Sequence, residues 1–359
     1  MALQGYAPFF LQWSWWLHNL LAVPAELCGQ DWLPHPWRRE RICLAPASKV
    51  QRQRFPTNKT EETNSNRRTN APTVPMKDSK GVDQLKESPA IHTRAEEKKV
   101  EERLAISPGV VYETLRREGE EEFTRTSAAL GWSGLAAGLS MGFSFVAEAL
   151  LAAHLPNAPW APLISKLGYS VGFLIVILGR QQLFTETTLT VIIPLLATPQ
   201  WSKIVNAMRL WSVILIANLA GTFLFALVVG RVAIFDPVVH EALFRVCQEG
   251  LGAGFWLVFV RAIFAGWLIA LTVWLLPGAD SSRVSIIIVL TYLIGLGGFN
   301  HVIAGSTKMF YLVVTGAESF PAYAAHFLAP TLFGNIVGGV SLVAALGHAQ
   351  VLGGNEPNG

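Results

Sequence analysis

The chain has 359 residues, 51% of them hydrophobic and 15% charged, with a formal net charge of +3 at pH 7. A balance so close to neutral gives no case for binding nucleic acid, and three widely spaced cysteines fit neither a disulfide framework nor a metal site. Of the 28 Lys and Arg residues, 19 precede Ser127, so the rest of the sequence has too few charges to cover a globular surface. The composition therefore indicates a charged N-terminal arm followed by a membrane domain.

Residues 1–108 are predicted to form this arm, which we expect to be largely disordered. Its segment 44–108 is rich in Lys, Glu, Asn, Thr, Ser and Pro and poor in aromatic residues. Residues 9–23 are apolar and rich in tryptophan, and no Lys or Arg precedes them, which argues against a signal peptide. They fit either a segment at the membrane interface or a wrongly assigned start codon. Residues 109–126 predict a charged amphipathic helix along the cytoplasmic surface.

Six hydrophobic spans follow, each near the length that crosses about 30 Å of hydrocarbon. They predict an all-α transmembrane transporter domain over residues 127–350 and a C-terminal tail over 351–359. In the first span Gly134, Gly138 and Gly142 recur at four-residue spacing, which favours close packing against another helix. The predicted spans are 127–153, 168–197, 208–232, 251–276, 284–313 and 325–348.

The second and fifth spans are apolar at both ends but polar or glycine-rich at their centres. Lipid cannot satisfy an open backbone, so irregular chain at that depth lies inside protein or beside a cavity. Gly179, Gly297 and Gly298 permit the unwinding. We therefore predict helix breaks at about 181–187 and 297–306 that face each other near the bilayer centre, a typical arrangement of transport sites.

Two Asn-x-x-Gly patterns, at Asn218 and Asn335, lie 117 positions apart in the third and sixth spans. The same offset places Phe184 of the first break opposite His301 of the second. One offset for both pairs of spans predicts duplicated halves of three spans each, and the odd number makes the two halves inverted in the membrane. Coincidence is the alternative, because the shared pattern is short.

Basic residues near the ends of the spans predict the orientation. Six lie on one side of the membrane and three on the other, which places both termini in the cytoplasm. The larger group is Arg116, Arg117, Arg125, Lys203, Arg209 and Arg283, and the smaller is Lys166, Arg231 and Arg245.

Ionisable residues at membrane depth are functional candidates, because a charge there is costly. His301 lies in the second break, and its imidazole titrates near neutral pH, so we expect it to give a hydrogen bond or a proton to a permeating anion. A buried histidine held by a neighbouring carbonyl is the alternative. Arg180 and Lys308 have the charge that attracts an anion, although at least one is expected to pair with Glu186 or Glu148.

Apolar residues one or two turns from the breaks are candidates for dry constrictions. They are Tyr169, Phe173 and Ile294, and ordinary packing is the alternative for each. Helix N-termini that face the breaks would add positive potential, which favours anions.

Three motifs resemble the formate/nitrite transporter family. Gly179-Arg-Gln-Gln-Leu-Phe-Thr-Glu-Thr is similar to its second-helix loop, Gly298-Phe-Asn-His-Val-Ile-Ala to its fifth-helix motif, and Gly334-Asn-Ile-Val-Gly-Gly to its sixth. The similarity covers roughly 109–350, and the Arg-Gln-Gln variant resembles a branch of inner-membrane proteins. The resemblance to the family implies an aquaporin-like fold and a homopentamer with one pore per protomer. The implied substrates are small monovalent anions, such as formate-like monocarboxylates or nitrite.

By motif match, His301 takes the place of the family's central histidine, and Leu183, Phe184 and Thr185 fall on the loop that faces it. Formate channels have a glutamate where this chain has Asn300, and their pore lysine has no clear match here. Pore polarity therefore differs, and formate or nitrite does not follow as the substrate.

The leading hypothesis is a channel or proton-linked transporter for small monovalent anions. An aquaporin-like channel for water or small neutral solutes is the second, although the paired Asn-Pro-Ala loops of that class are missing. A membrane sensor or scaffold with a vestigial pore, whose arm binds a partner, is the third. We expect no enzyme and no cofactor, because the sequence shows neither a nucleophile–base pair nor a cofactor-binding loop.

Overall fold

A computed structural model of the chain describes residues 107–249, 251–279 and 281–341. The apolar segment 9–23, nearly all of the segment 44–108 and the tail 351–359 lie outside the described residues. Within them, all regular secondary structure is helical. The helices are α1 (Pro108–Thr124), α2 (Ser127–His154), α3 (Ala161–Ser165), α4 (Ser170–Leu178), α5 (Phe184–Ala197), α6 (Trp201–Arg231), α7 (Pro237–Gln248), α8 (Phe255–Leu275), α9 (Arg283–Leu296), α10 (Val302–Thr315), α11 (Phe320–Ala322) and α12 (Ala329–Gly339).

Four helical segments among the described residues are long and apolar enough to cross a membrane: Ser127–His154, Ala161–Leu178, Trp201–Arg231 and Phe255–Gly278. Helices α5, α9 and α10 are apolar but have only 14 residues each. At 1.5 Å per residue such a helix is about 21 Å long, too short to cross the hydrocarbon alone. The predicted second and fifth spans are thus each made of two helical pieces, and the count of six spans stays a prediction.

Helix α1 packs against α5 through a glycine. Ser107 caps its first turn by accepting the Val110 N–H at 3.4 Å, and Val111 and Leu115 are buried. A Cβ added to Gly119 would lie 2.0 Å from the Thr190 carbonyl oxygen, so the two helix backbones touch. The segment predicted to lie along the membrane surface is therefore part of the packed domain.

The two halves of the domain use the same glycine-based helix packing. Helix α2 crosses α6 at Gly138, where a Cβ would lie 2.2 Å from the Asn218 carbonyl oxygen. Helix α8 crosses α12 at Gly266, where a Cβ would lie 2.3 Å from the Asn335 carbonyl oxygen. Close packing of the glycine face of the first span is confirmed, because Gly134 also contacts α6.

Both predicted helix breaks are present, but they are shorter than expected. The chain leaves helical structure over 179–183 and again over 297–301. The predictions of 181–187 and 297–306 were therefore wrong at the far ends. Helix resumes early because side chains satisfy the first amides: Asn218 accepts the Phe184 N–H, and His301 caps α10 by accepting the Ala304 N–H.

Candidate functional site

The backbone has the same path in both breaks. The Gln181 N–H donates to the Val176 carbonyl at 3.0 Å, and the Phe299 N–H donates to the Ile294 carbonyl at 3.0 Å. Arg180 (φ 49°) and Gly298 (φ 61°) hold the left-handed conformation one residue earlier. Among the described residues Arg180 is the non-glycine residue with positive φ, so the chain accepts local strain to place a guanidinium there.

An asparagine from the following span holds the first break. Asn218 Oδ1 accepts the Phe184 N–H at 2.9 Å, and its Nδ2 donates to the carbonyls of Gln182 at 2.9 Å and Gly134 at 2.8 Å. One buried amide thus binds the backbone on either side of Leu183, at the end of the break, and joins it to α2. We call this arrangement an asparagine clamp.

A second asparagine clamp holds the second break. Asn335 Oδ1 accepts the Val302 N–H at 2.8 Å, and its Nδ2 donates to the carbonyls of Asn300 at 2.9 Å and Ala262 at 2.8 Å. Both asparagines are fully buried. The clamps explain how a helix opens in the membrane without leaving backbone groups unpaired.

The clamps correct the register of the repeat. Asn218 binds Phe184 and Asn335 binds Val302, so the breaks are related by an offset of 118, although the asparagines are 117 apart. The predicted pairing of Phe184 with His301 was therefore wrong by one position, and Leu183 is the equivalent of His301. The physical reason is that the connection between break and clamp is one residue longer in the first half.

A hydrogen bond joins the first turn of α5 to the end of the second break. Thr185 Oγ1 lies 2.7 Å from His301 Nε2, and both residues are buried. His301 Nδ1 accepts the Ala304 N–H at 3.1 Å, so in the neutral ring this pattern puts the proton on Nε2, which donates to Thr185. The histidine is satisfied by a hydroxyl and a backbone N–H, where the alternative had predicted a carbonyl.

Apolar side chains enclose this bond. The edge of Phe173 faces the His301 ring with centroids 5.0 Å apart, and Tyr169 follows at 5.4 Å from Phe173. Ile294 and Leu183 belong to the same buried cluster. The three residues predicted as constrictions are thus packed around the histidine or one turn from it.

Phe184 and Asn300 turn away from this centre. The Phe184 ring packs against Trp211 of α6, with centroids 6.1 Å apart. Asn300 Nδ2 donates to the Val258 carbonyl at 3.4 Å. Of the loop residues predicted to face His301, Thr185 makes the direct polar contact.

A cavity of about 530 Å³ opens between the first break and α1, and we call it the α1-side vestibule. Arg180 and Glu186 both line it, but they do not form an ion pair. Burial raises the pKa of the Glu118 carboxyl, while Arg180 and Arg283 act in the opposite direction. The charged lining residues are Glu118, Glu121, Glu122, Arg125, Arg180, Glu186 and Arg283.

A buried ionic network surrounds Glu148 of α2. Lys308 Nζ lies 2.7 Å from Glu148 Oε2, so this predicted pore lysine is paired with a carboxylate, as one alternative held. Lys166 contacts both Glu148 and Glu249. Lys308 Nζ also lies 5.8 Å from the centre of the Tyr169 ring, which links the network to the constriction.

Sequence reasoning missed the roles of Lys166 and Glu249. The signal was Glu148 itself, because a carboxylate in the middle of a hydrophobic span requires cationic partners. Two lysines then satisfy it, and the half-exposed Glu249 balances the second of them.

Comparison with known proteins shows the family to which the chain belongs. A profile of the family described as formate/nitrite transporter matches residues 109–349. The chain belongs to this family. It is 38% identical over 251 residues to the inner membrane protein YfdC of Escherichia coli (strain K12), an alignment that covers 70% of this chain and 81% of YfdC.

Two solved members have the same fold. A pentameric formate channel with formate bound superposes with a TM-score of 0.53 at 22% identity, covering 66% of this chain and 99% of that one. An ion channel of the family superposes with a TM-score of 0.57 at 18% identity, covering 67% and 98%. The predicted all-helical, aquaporin-like fold is confirmed, and the chain is a membrane transporter or channel of the formate/nitrite transporter family.

Proposed function

We propose that the protein is a homopentameric channel or proton-linked transporter that passes small monovalent anions across an inner membrane, with both termini in the cytoplasm and no enzymatic activity. The observation that carries this is the 2.7 Å contact of Thr185 with His301, which joins the two helix breaks inside an apolar enclosure. A hydrogen-bonded polar pair among apolar side chains is suited to the passage of a small solute that must lose its hydration shell.

Electrostatics at the breaks favours a negative solute. Helices α5 and α10 begin at Phe184 and Val302, so both N-termini meet where Thr185 contacts His301. Aligned peptide dipoles give a helix N-terminus about half a positive charge. Arg180 adds a guanidinium at the vestibule end. The related formate channel and the basic-residue asymmetry support the anion and the orientation.

His301 is proposed to control permeation through its proton. A neutral acid loses far less hydration energy than its anion when it enters a dry constriction. Nε2–H is the donor available at that point, because Nδ1 is occupied by the Ala304 N–H. A replacement that does not titrate should therefore change how flux depends on pH.

Purified protein in liposomes tests this. Uptake of labelled formate, acetate, lactate, nitrite and nitrate is measured with and without an imposed pH gradient, for wild type, His301→Asn and His301→Phe. His154→Asn, an exposed histidine at the end of α2, is the matched control. We expect uptake of at least one anion, a changed pH profile in both His301 variants and an unchanged one in the control. Identical profiles for wild type and His301→Asn at equal folded protein would reduce His301 to a structural residue.

A further inference from the structure

We propose that Glu186 accepts the proton of the permeating acid on the vestibule side, while Arg180 receives the anion. This inference rests on the proposed function and assigns a residue outside the Thr185–His301 pair to the transport step. It concerns the place where a proton and an anion that crossed together separate again.

The first observation is the position of Glu186. It stands in the first turn of α5, next to Thr185, and lines the α1-side vestibule. Glu186 therefore follows, in sequence, the residue that bonds His301, and it borders a cavity of about 530 Å³. In the proposed pathway, a solute that moves from His301 into this cavity passes the Glu186 carboxylate.

The second observation is that Glu186 has no partner among the described residues. Its Oε1 is shielded from solvent and has no hydrogen bond, and the residue forms no ion pair. A buried polar atom left unpaired costs about 1–3 kcal/mol, and more when it is charged. The fold retains this cost, although glutamine at the same position would remove the charge. A carboxylate kept in this state is suited to bind a proton that arrives with the solute.

The other charged groups that face the vestibule have partners or water. Glu122 pairs with Arg125 at 3.1 Å and accepts a hydrogen bond from Gln182, all at the α1 face. Glu118 interacts with Arg180 and Arg283, and Glu121 is exposed. Among the described residues, Glu186 is thus the lining carboxylate that has a buried oxygen, Oε1, without a partner and no ion pair.

The step balances as a simple proton transfer. The O–H bond of the neutral acid breaks, a new O–H bond forms on the Glu186 carboxylate, and the electron pair stays with the solute, which becomes an anion. That anion moves to the Arg180 guanidinium. Vestibule water then takes the proton from Glu186 and restores the carboxylate. One proton and one anion cross per cycle, and export runs through the same steps in reverse.

The test uses the full chain in liposomes with a trapped pH indicator. Uptake of labelled formate and the accompanying interior pH change are recorded for wild type, Glu186→Gln and Glu186→Asp. Glu241→Gln is the matched control, because it removes the same charge from an exposed position on α7 that does not line the vestibule. We expect about one proton per anion in wild type, at least tenfold slower uptake in Glu186→Gln, substantial activity in Glu186→Asp and near wild-type uptake in the control.

Three results would overturn the inference while leaving anion passage intact. They are wild-type uptake with no accompanying proton, Glu186→Gln uptake equal to wild type at equal folded protein, and an equal loss in Glu241→Gln. The first result is measured on the wild-type protein, so it tests the inference even if a variant fails to fold. A wild-type protein that takes up no anion of the panel would instead refute the proposed function itself.

Discussion

Leu183 and His301 occupy equivalent positions in the two helix breaks, each directly before the half-helix whose first N–H donates to a clamping asparagine. Equivalent backbone positions therefore carry an apolar side chain in the first break and an imidazole in the second. His301 finds its polar partner in Thr185, two residues beyond its own structural equivalent. The two halves therefore share the backbone arrangement of the break, but the imidazole comes from the second half.

The asparagine clamps should dominate the stability of both breaks. Replacing Asn218 with Leu leaves the Phe184 N–H and the Gln182 carbonyl without this partner and removes a further hydrogen bond to the Gly134 carbonyl, which keeps its helical one. At about 1–3 kcal/mol for each unpaired group, we expect a loss of roughly 3 kcal/mol or more. Asn335→Leu should cost a similar amount, because its contacts are equivalent. Thermal unfolding in detergent measures both variants.

Asn218→Asp is the charged member of that series, because it keeps the acceptor for Phe184 but replaces the two donated hydrogen bonds with a carboxylate oxygen that faces two carbonyl oxygens. Its loss of stability should be at least as large as that of Asn218→Leu, since the buried carboxylate has no cation beside it among the described residues. A clamp variant that melts with wild type would show that water or other side chains satisfy the break.

The glycine crossings should not tolerate a methyl group. An alanine at Gly138 or Gly266 would place its Cβ 2.2 or 2.3 Å from a backbone carbonyl oxygen, so the helices must separate. Overpacking of this kind costs about 1–3 kcal/mol. Gly131→Ala, in the same helix as Gly138 but with nothing within 4 Å of the new Cβ, should be neutral or slightly stabilising. Equal melting temperatures for Gly131→Ala and Gly138→Ala would contradict the close crossing.

The ionic network predicts an order of effects. Glu148→Gln removes the carboxylate shared by Lys166 and Lys308 and should destabilise by about 3–5 kcal/mol, because two ammonium groups lose their buried partner. Lys308→Gln should cost less, since Glu148 keeps Lys166. Glu249→Gln should cost least, about 1 kcal/mol or below, because that side chain is half exposed. Denaturant unfolding of the three variants checks the order, and a milder effect of Glu148→Gln than of Glu249→Gln would refute it.

The substitution Arg180→Gly is predicted to raise stability and to lower transport. Its left-handed conformation costs about 1–2 kcal/mol for a residue with a Cβ, so Arg180→Gly should raise the free energy of unfolding by about 1 kcal/mol. The same change should slow anion uptake, because the vestibule loses a guanidinium. Gly298→Ala, at the equivalent position of the second break, should lower stability by a similar amount. Lower stability in Arg180→Gly would mean that the guanidinium makes a contact worth more than the strain.

The sequence predicted the fold and the existence of both breaks, because a membrane span tolerates clustered polar and glycine residues where its helix opens inside protein. It also singled out His301 and Asn335. It misplaced the register by one residue, since a shared offset measured at the asparagines does not reveal that one connection is longer. The pairing of His301 with Thr185 needed the folded chain, because no sequence rule ties residues 116 positions apart.

The vestibule was the least predictable part. Residues 109–126 show the composition of a surface helix, and only the close approach at Gly119 reveals that α1 forms a wall of the cavity. The contact of Lys166 with Glu249 likewise depends on how α7 folds back onto the domain. Long-range ionic contacts of this kind follow from packing and leave no local pattern.

The asparagine clamps also affect which positions of the protein can mutate during evolution. Each break is held by an amide that belongs to a different helix, so side chains such as those of Arg180 and Gln181 take no part in closing the backbone. Mutations at those positions can alter which solute is admitted while the architecture survives. Two asparagines therefore allow the other side chains of the breaks to change without loss of the fold.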